Sequence, residues 1–462
     1  MGTVSPPQAK LAEDFGGKLI GPGAPEYDGA RRIFNGMIDR RPALVARPAG
    51  VADVLAAVRH AREAGLPVAV RCGGHSLSGH STADDALVLD LSLMNGVHVD
   101  LERRTVRVQG GALWGAIDRE TQAFGLATPG GRVTTTGVGG FTLGGGYGWL
   151  SPKHGLTCDN LLSADVVTAD GRFVTASEDE NEELFWGLRG GGGNFGVVTS
   201  FELRLHPVGP LVYGGLMAFP VERAAEVAGA FRELAGDGAP DELAAGIALV
   251  TAPPEEFVPE PARGQPAVAV IGCWCGELAE GERYLAPLKA LGPLVDMFGP
   301  MPYRALQAVL DPMNPPGLRS YARGEHLTGL PDDAIAAFAS QSTAGLHPLT
   351  VGILFQHAGA VARVPEGATA FSHRQARYIA HPIAIWEDPA DDERHIGWAR
   401  SFTESFAAHA TGGVYLNFTS DATEDRVRAG YDDATYARLA ALKRELDPDN
   451  VFRFNQNIAA AA

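Results

Sequence analysis

Cysteine is scarce. The chain of 462 residues has four, Cys72, Cys158, Cys273 and Cys275, too few and too scattered for a disulfide framework. Long apolar runs are missing too: no stretch approaches the ~20 residues of a membrane helix. The opening segment MGTVSPPQAKLAEDF lacks a basic start followed by an apolar core, so no secretion signal is expected. Positive charge is in deficit, 38 − 55 = −17. That excludes nucleic acid as a partner, because phosphate binding needs a basic surface, and it excludes anionic membranes. Cys273-Trp274-Cys275 has no partner ligands at metal spacing, and His75 and His80 are not a helical zinc pair, so no metal is expected. There is no internal repeat and no low-complexity tract. A cytoplasmic protein, monomer or homodimer, is the expectation these absences leave.

Glycine is abundant, 58 residues, and it is clustered. Clustering means that the backbone must approach something closely, or take positive φ, at a few chosen places. Val51, Val54, Leu55 and Val58 form an amphipathic helical stripe, closed by Gly65 and Pro67. A short buried strand, Pro67–Val70, then delivers the chain into Arg71-Cys72-Gly73-Gly74-His75-Ser76. Val97, Val99, Val106 and Val108 read as a hairpin turning at Glu102-Arg103. Val166–Thr168 and Phe173–Thr175 form another about Asp170-Gly171. The segment 137–148 holds seven glycines. A helix over Glu182–Leu188 leads through Gly190–Gly193 into a strand over Val197–Leu205. Texture changes at Pro207-Val208-Gly209-Pro210. From there to about 410, strand-like runs such as Ala267–Trp274 and Thr350–Phe355 alternate with proline-rich connections. A strand over Val414–Phe418 and a helix carrying Tyr436, Leu439, Leu442 and Leu446 complete the chain.

The loops 71–76 and 134–146 have the residue types that cradle a diphosphate: small residues let backbone N–H groups approach phosphate oxygens, and Ser76, Thr134, Thr135 and Thr136 add hydroxyl donors. One such loop would be a tight turn. Two, with a third at 190–196, point to a large dinucleotide. Gly191-Gly192-Gly193-Asn194-Phe195-Gly196 matches the dinucleotide fingerprint literally, but a helix precedes it and a strand follows, the reverse of what the fingerprint requires. NAD is therefore not indicated, and without a phosphate-loop lysine neither is nucleotide hydrolysis. His75 stands inside a glycine loop where a cofactor must pass, a candidate for catalysis or attachment.

Four motifs in order, Arg71-Cys72-Gly73-Gly74-His75-Ser76-Leu77-Ser78-Gly79-His80-Ser81, Thr135-Thr136-Gly137-Val138-Gly139-Gly140 through Gly148, Gly155-Leu156-Thr157-Cys158-Asp159-Asn160, and the tail Asp447-Pro448-Asp449-Asn450 to Asn455-Gln456-Asn457-Ile458, resemble the berberine bridge enzyme-like FAD-linked oxidases of the vanillyl-alcohol oxidase superfamily. The resemblance implies an α+β fold: a two-subdomain FAD-binding domain from 1–208 and 411–462, with a substrate domain of antiparallel sheet inserted at 209–410. It implies FAD bonded covalently to His75. The second, cysteinyl bond of some relatives is not expected, because Val133 occupies that position. Arg71, Cys72, Gly73, Gly74, His75, Ser76, Ser81, Thr134, Thr135, Thr136, Gly137, Gly139, Gly140, Gly144, Gly145, Asn160, Gly196, Val198, Asn417, Asn455 and Asn457 are the implied cofactor contacts.

Tyr415-Leu416-Asn417-Phe418 resembles the family's segment carrying a tyrosine base and a flavin-contacting asparagine. Tyr415 is the candidate base, placed on one face with Asn417 by strand alternation; Phe418 departs from the family's second tyrosine. Gln356, His357 and His373 are candidate substrate contacts, although alternation turns Gln356 and His357 to opposite faces. The implied activity is oxidation of a small organic substrate by hydride transfer to flavin N5, with O2 as the second substrate. A dehydrogenase using another acceptor and a silent flavin-fold binding protein are the alternatives. Thr136, at a position that tunes oxygen access in relatives, leaves the first of these open.

Overall fold

The computed structural model describes residues 11, 13 and 15–459. Most of the opening segment read above for a secretion signal lies outside them, as do the last three residues. Among the described residues no helix is long and apolar enough to cross a membrane.

The fold is α+β and contains three substantial sheets. The first has four strands in the order Lys18–Ile20, Leu44–Arg47, Leu87–Asp90, Val68–Arg71, the last three parallel. Parallel neighbours need a crossover, and helix Val51–Ala64 supplies it, turning Val54, Ala57, Val58 and Ala61 into the core shared with Leu44, Leu87 and Leu89. Gly65 ends the helix at φ 66°, a left-handed cap that costs glycine nothing. The second sheet is antiparallel, in the order Val97–Asp100, Thr105–Gln109, Val197–Arg204, Leu161–Val167, Phe173–Ser177. Both of its local pairs are the hairpins expected from sequence, the second with Gly171 at φ 78°.

Strands between Leu211 and Val414 form one antiparallel sheet of ten. Helices Ala224–Ala235, Leu278–Lys289, Asp332–Ala339 and Asp392–Glu404 lie against one face. The opposite face packs Ala244, Ala248, Ile353 and Phe355 onto Tyr147, Trp149, Leu150 and Leu156 of the glycine-rich part. The chain then returns to the first two sheets: helix Asp433–Leu446 buries Leu439 and Leu442 beside Leu184 and Leu188, and Val451 O accepts the Val68 N–H.

One local expectation fails. The strand expected over Val414–Phe418 is Ala410–Val414, at the edge of the large sheet, and Leu416–Phe418 is a single 3-10 turn closed by Phe418 N–H to Tyr415 O. Strand propensity yields here to tertiary packing. Tyr415 belongs to the core under the large sheet, and Leu416 to the core of the glycine-rich part. The chain must turn to serve both.

Candidate active site

Strand Val68–Arg71 ends beside Asp90 of its neighbour, and the Arg71–Asp90 ion pair, 2.8 Å, is buried there. Arg71 also donates to Ala30 O and Arg32 O, which fixes the start of the loop 72–81. Its partner loop is the connection into the short helix Val138–Leu143. The two run backbone against backbone: a Cβ on Gly73 would fall 2.6 Å from Gly137 N, and one on Gly137 would fall 2.3 Å from Gly73 N. Only glycine permits that approach.

Above this contact runs a cleft. Its walls are the loop 72–81, residues 136–144, Gly190 to Val198, the turn at 416–419 and the tail at 452–456. Of the residues singled out from sequence, Cys72, Gly73, Gly74, His75, Ser76, Ser81, Thr136, Gly137, Gly139, Gly140, Gly144, Gly196, Val198, Asn417 and Asn455 all line it. Thr135 lines a second opening on the far side of His75, together with Arg71, Val133 and Asp311. Thr134, Gly145 and Asn160 line neither. Thr134 spends its N–H and its hydroxyl on the Asp311 carboxylate. Gly145 faces the Phe371 ring, and Asn160 braces His154 O and Leu156 O. Asn457 is outside the lining too, its Oδ1 buried without a partner.

His75 stacks on Phe34 with centroids 4.1 Å apart, and its Nε2 lies 2.8 Å from Thr135 Oγ1. Burial pushes its pKa down to about 4, against a smaller opposing pull from Asp311. The ring is therefore neutral at pH 7, with one nitrogen unprotonated. The nearby thiols are shifted the other way. Burial raises Cys72 to about 11 and leaves its Sγ on Ala112 O at 3.4 Å, while Cys158 is wholly buried and raised well above the usual thiol range.

Tyr415, the candidate base, does not itself line the cleft; it is buried behind Asn417, and its oxygen accepts from Gly146 N–H and Tyr147 N–H, each 3.1 Å, and from Asn417 Nδ2, 3.3 Å. Burial nevertheless pushes the phenol up to about 12, these three donors opposing it. The 3-10 turn, not strand alternation, brings Tyr415 and Asn417 together. Asn417 reaches Phe141 O at 3.0 Å, and a Cβ on Gly144 would sit 2.1 Å from its Oδ1.

None of Gln356, His357 and His373 lines the cleft. Gln356 O accepts from the Tyr147 hydroxyl, His357 pairs through Nδ1 with Ala376 O, and His373 through Nε2 with Ala429 O. The two histidines converge on His326, 5.3 and 5.5 Å between centroids, which is 6.3 Å from the Tyr415 ring. Sequence reading missed His326 because a lone histidine in Glu325–Leu327 has no motif around it. It also passed over Arg132, for which the adjoining Gly130-Gly131 was the available signal. Among the described residues no cluster of ligands could hold a metal ion.

Comparison with known proteins bears directly on this cleft. Residues 42–177 match the family profile of an FAD binding domain, and residues 414–459 match berberine and berberine-like proteins. The chain is 34% identical to (R)-6-hydroxynicotine oxidase of Paenarthrobacter nicotinovorans, covering 96% of each. The chain belongs to the berberine bridge enzyme-like FAD-linked oxidoreductases. Other members of the same family are also similar to it. Xylooligosaccharide oxidase of Thermothelomyces thermophilus is 31% identical over 93% of this chain and 89% of its own. The crystal structure of 6-hydroxy-D-nicotine oxidase from Arthrobacter nicotinovorans superposes with a TM-score of 0.85 at 31% identity, covering 97% and 98%.

This FAD-linked oxidoreductase has a cleft that fits its cofactor. Glycine lines the walls where a long diphosphate would need backbone approach, and Gly140 carries open space where a side chain would stand. The Asn455 Oδ1 and Gln456 Oε1 acceptors on the tail side are buried without partners, which an adenosine half could satisfy.

Proposed function

We propose that this enzyme is an FAD-dependent oxidase acting on a CH–OH or CH–NH group of a small organic substrate. When bound, FAD supplies the electron sink: the substrate's hydride passes to flavin N5, and O2, reduced to hydrogen peroxide, restores the cofactor. In this reading residues 1–208 and 411–462 form the FAD-binding part and 209–410 the substrate part. The cleft loops hold the diphosphate through backbone N–H groups. His75, neutral and positioned by Thr135, is the single covalent tether; Val133 has no nucleophile to add a second.

The observation that carries the proposal is the arrangement of Tyr415. A phenol is a poor base until its anion forms; burial opposes that anion here, and three N–H donors that converge on its oxygen behind Asn417 favour it. Tyr415 takes the O–H or N–H proton; Asn417, which touches both that oxygen and the cleft, holds it in place. Relatives named as oxidases of a hydroxynicotine and of xylooligosaccharides support both an amine and an alcohol as the oxidised group.

The test is anaerobic reduction of the holoenzyme across amine, sugar and aromatic-alcohol panels, followed by admission of air. Bleaching at 450 nm, then rapid recovery with one peroxide per turnover, is expected. A bleached flavin that recovers only with an artificial acceptor would favour a dehydrogenase, the alternative that Thr136 in the cleft leaves open. No bleaching with any substrate would refute both.

A further inference from the structure

Arg132 follows Gly130-Gly131 and precedes Val133. It is only 7% exposed. Its guanidinium carbon lies 4.1 Å from the Phe355 ring centroid, 4.5 Å from Trp149 and 4.7 Å from Tyr147, and its Nε and Nη2 have no hydrogen-bond partner. The other deeply buried arginines all meet a carboxylate: Arg31 with Asp28, Arg71 with Asp90, Arg374 with Asp159. Arg132 meets none among the described residues. Aromatic faces attract a cation, but they leave its Nε and Nη2 donors unsatisfied, and a buried charge without a carboxylate is costly.

The place of this cation is informative. Tyr147 lies beneath the guanidinium and gives its backbone N–H to the Tyr415 oxygen. Phe355 touches Arg132 and also stands 6.2 Å from Phe418, which packs edge-on against Tyr415 at 4.6 Å. The guanidinium thus shares one aromatic box with the candidate base, between the glycine-rich part and the large sheet. The histidines nearby add no charge at neutral pH: burial holds His357 and His381 down to about 4.

We propose that Arg132 binds a carboxylate of the substrate, so that this enzyme oxidises small, flat carboxylic acids bearing the CH–OH or CH–NH group. This rests on the oxidase reading above. A planar monoanion matches a planar fork bidentately; a phosphate dianion would call for further donors.

The test uses holoenzyme titrated with benzoate and with its neutral isostere benzamide, read by the flavin visible band and by tryptophan fluorescence, since Trp149 touches the site. Benzoate should bind at least tenfold more tightly. Arg132→Met should erase that preference, a loss of ten- to a hundredfold for benzoate alone, and Arg132→Lys should retain part of it. Equal binding of the two probes, or a benzoate preference that survives in Arg132→Met, overturns the proposal. If Arg132→Met fails to fold, the wild-type pair and Arg132→Lys decide: the proposal falls if wild type shows no preference or Arg132→Lys binds benzoate as wild type does. The oxidase reading fails separately. A benzoate preference in an enzyme that no substrate reduces would sink that reading and leave Arg132 an anion site. Reduction by neutral alcohols that benzoate does not inhibit would sink the Arg132 proposal alone.

Discussion

Replacing Gly140 with alanine separates the stability of the cleft from its occupancy. Gly140 lies in the helix Val138–Leu143, is exposed, lines the cleft, and would carry a Cβ with nothing within 4 Å. In the empty protein the substitution fits without strain, and removing a helical glycine stabilises by about 0.5–1 kcal/mol. With FAD in the cleft the same methyl overpacks, and such intrusions cost about 1–3 kcal/mol. That corresponds to FAD affinity weakened by roughly five- to a hundred-and-fiftyfold. Gly137→Ala is the contrasting case, because its Cβ would lie 2.3 Å from Gly73 N and 2.4 Å from Cys72 Sγ. Ordinary contact begins near 3.4 Å, so the two loops must part by 3.4 − 2.3 = 1.1 Å with or without cofactor. In a His75→Ala background, where binding is reversible, calorimetric melting of apoprotein and FAD titration of the same samples make the comparison. Gly140→Ala should melt no lower than its parent yet bind FAD more weakly, and Gly137→Ala should lose on both counts. An FAD affinity unchanged by Gly140→Ala would refute the assignment of this cleft to the cofactor.

His75→Ala should still bind FAD but release it on acid precipitation; mass spectrometry should find flavin in the wild type on the peptide containing His75, and an adduct on a Cys158 peptide would contradict the single tether. Tyr415→Phe should slow anaerobic flavin reduction by ~10²–10⁴, and an unchanged rate would place the base elsewhere. Because burial holds the Tyr415 phenol near 12, the reductive rate should climb with pH between about 7 and 10, and Asn417→Ala, removing a donor to the phenolate, should displace that rise to higher pH; a flat profile contradicts a tyrosine base. His357 and His381, both buried, are each depressed from an ordinary 6.5 to about 4. The unfolded chain therefore takes up protons below about 6.5 while the folded one does not, and stability should fall as pH drops from 6.5 toward 4. A melting temperature constant from pH 7 to pH 5 would show that these rings are not buried as described.

Much of the fold was written locally. The stripe Val54, Val58 with Gly65 at its end, the Asp170-Gly171 turn and the paired glycine loops at 73 and 137 are short-range patterns, and the structure builds each where its residues stand. Sequence alone also singled out His75 within a glycine loop, because glycine neighbours are a local signal, and that loop lines the cleft. What tertiary structure decided were the relations between distant segments. Tyr415 and Asn417 meet through a 3-10 turn that no strand period anticipates, since Tyr415 and Leu416 are claimed by different cores. Thr134 is drawn out of the cleft by Asp311, and His357 and His373 are gathered around His326 behind Tyr415. Arg132 is distinguished by the carboxylate it lacks. A side chain's missing partner is a property of everything packed around it, so that feature could be read only once 132, 147, 149 and 355 had been brought together.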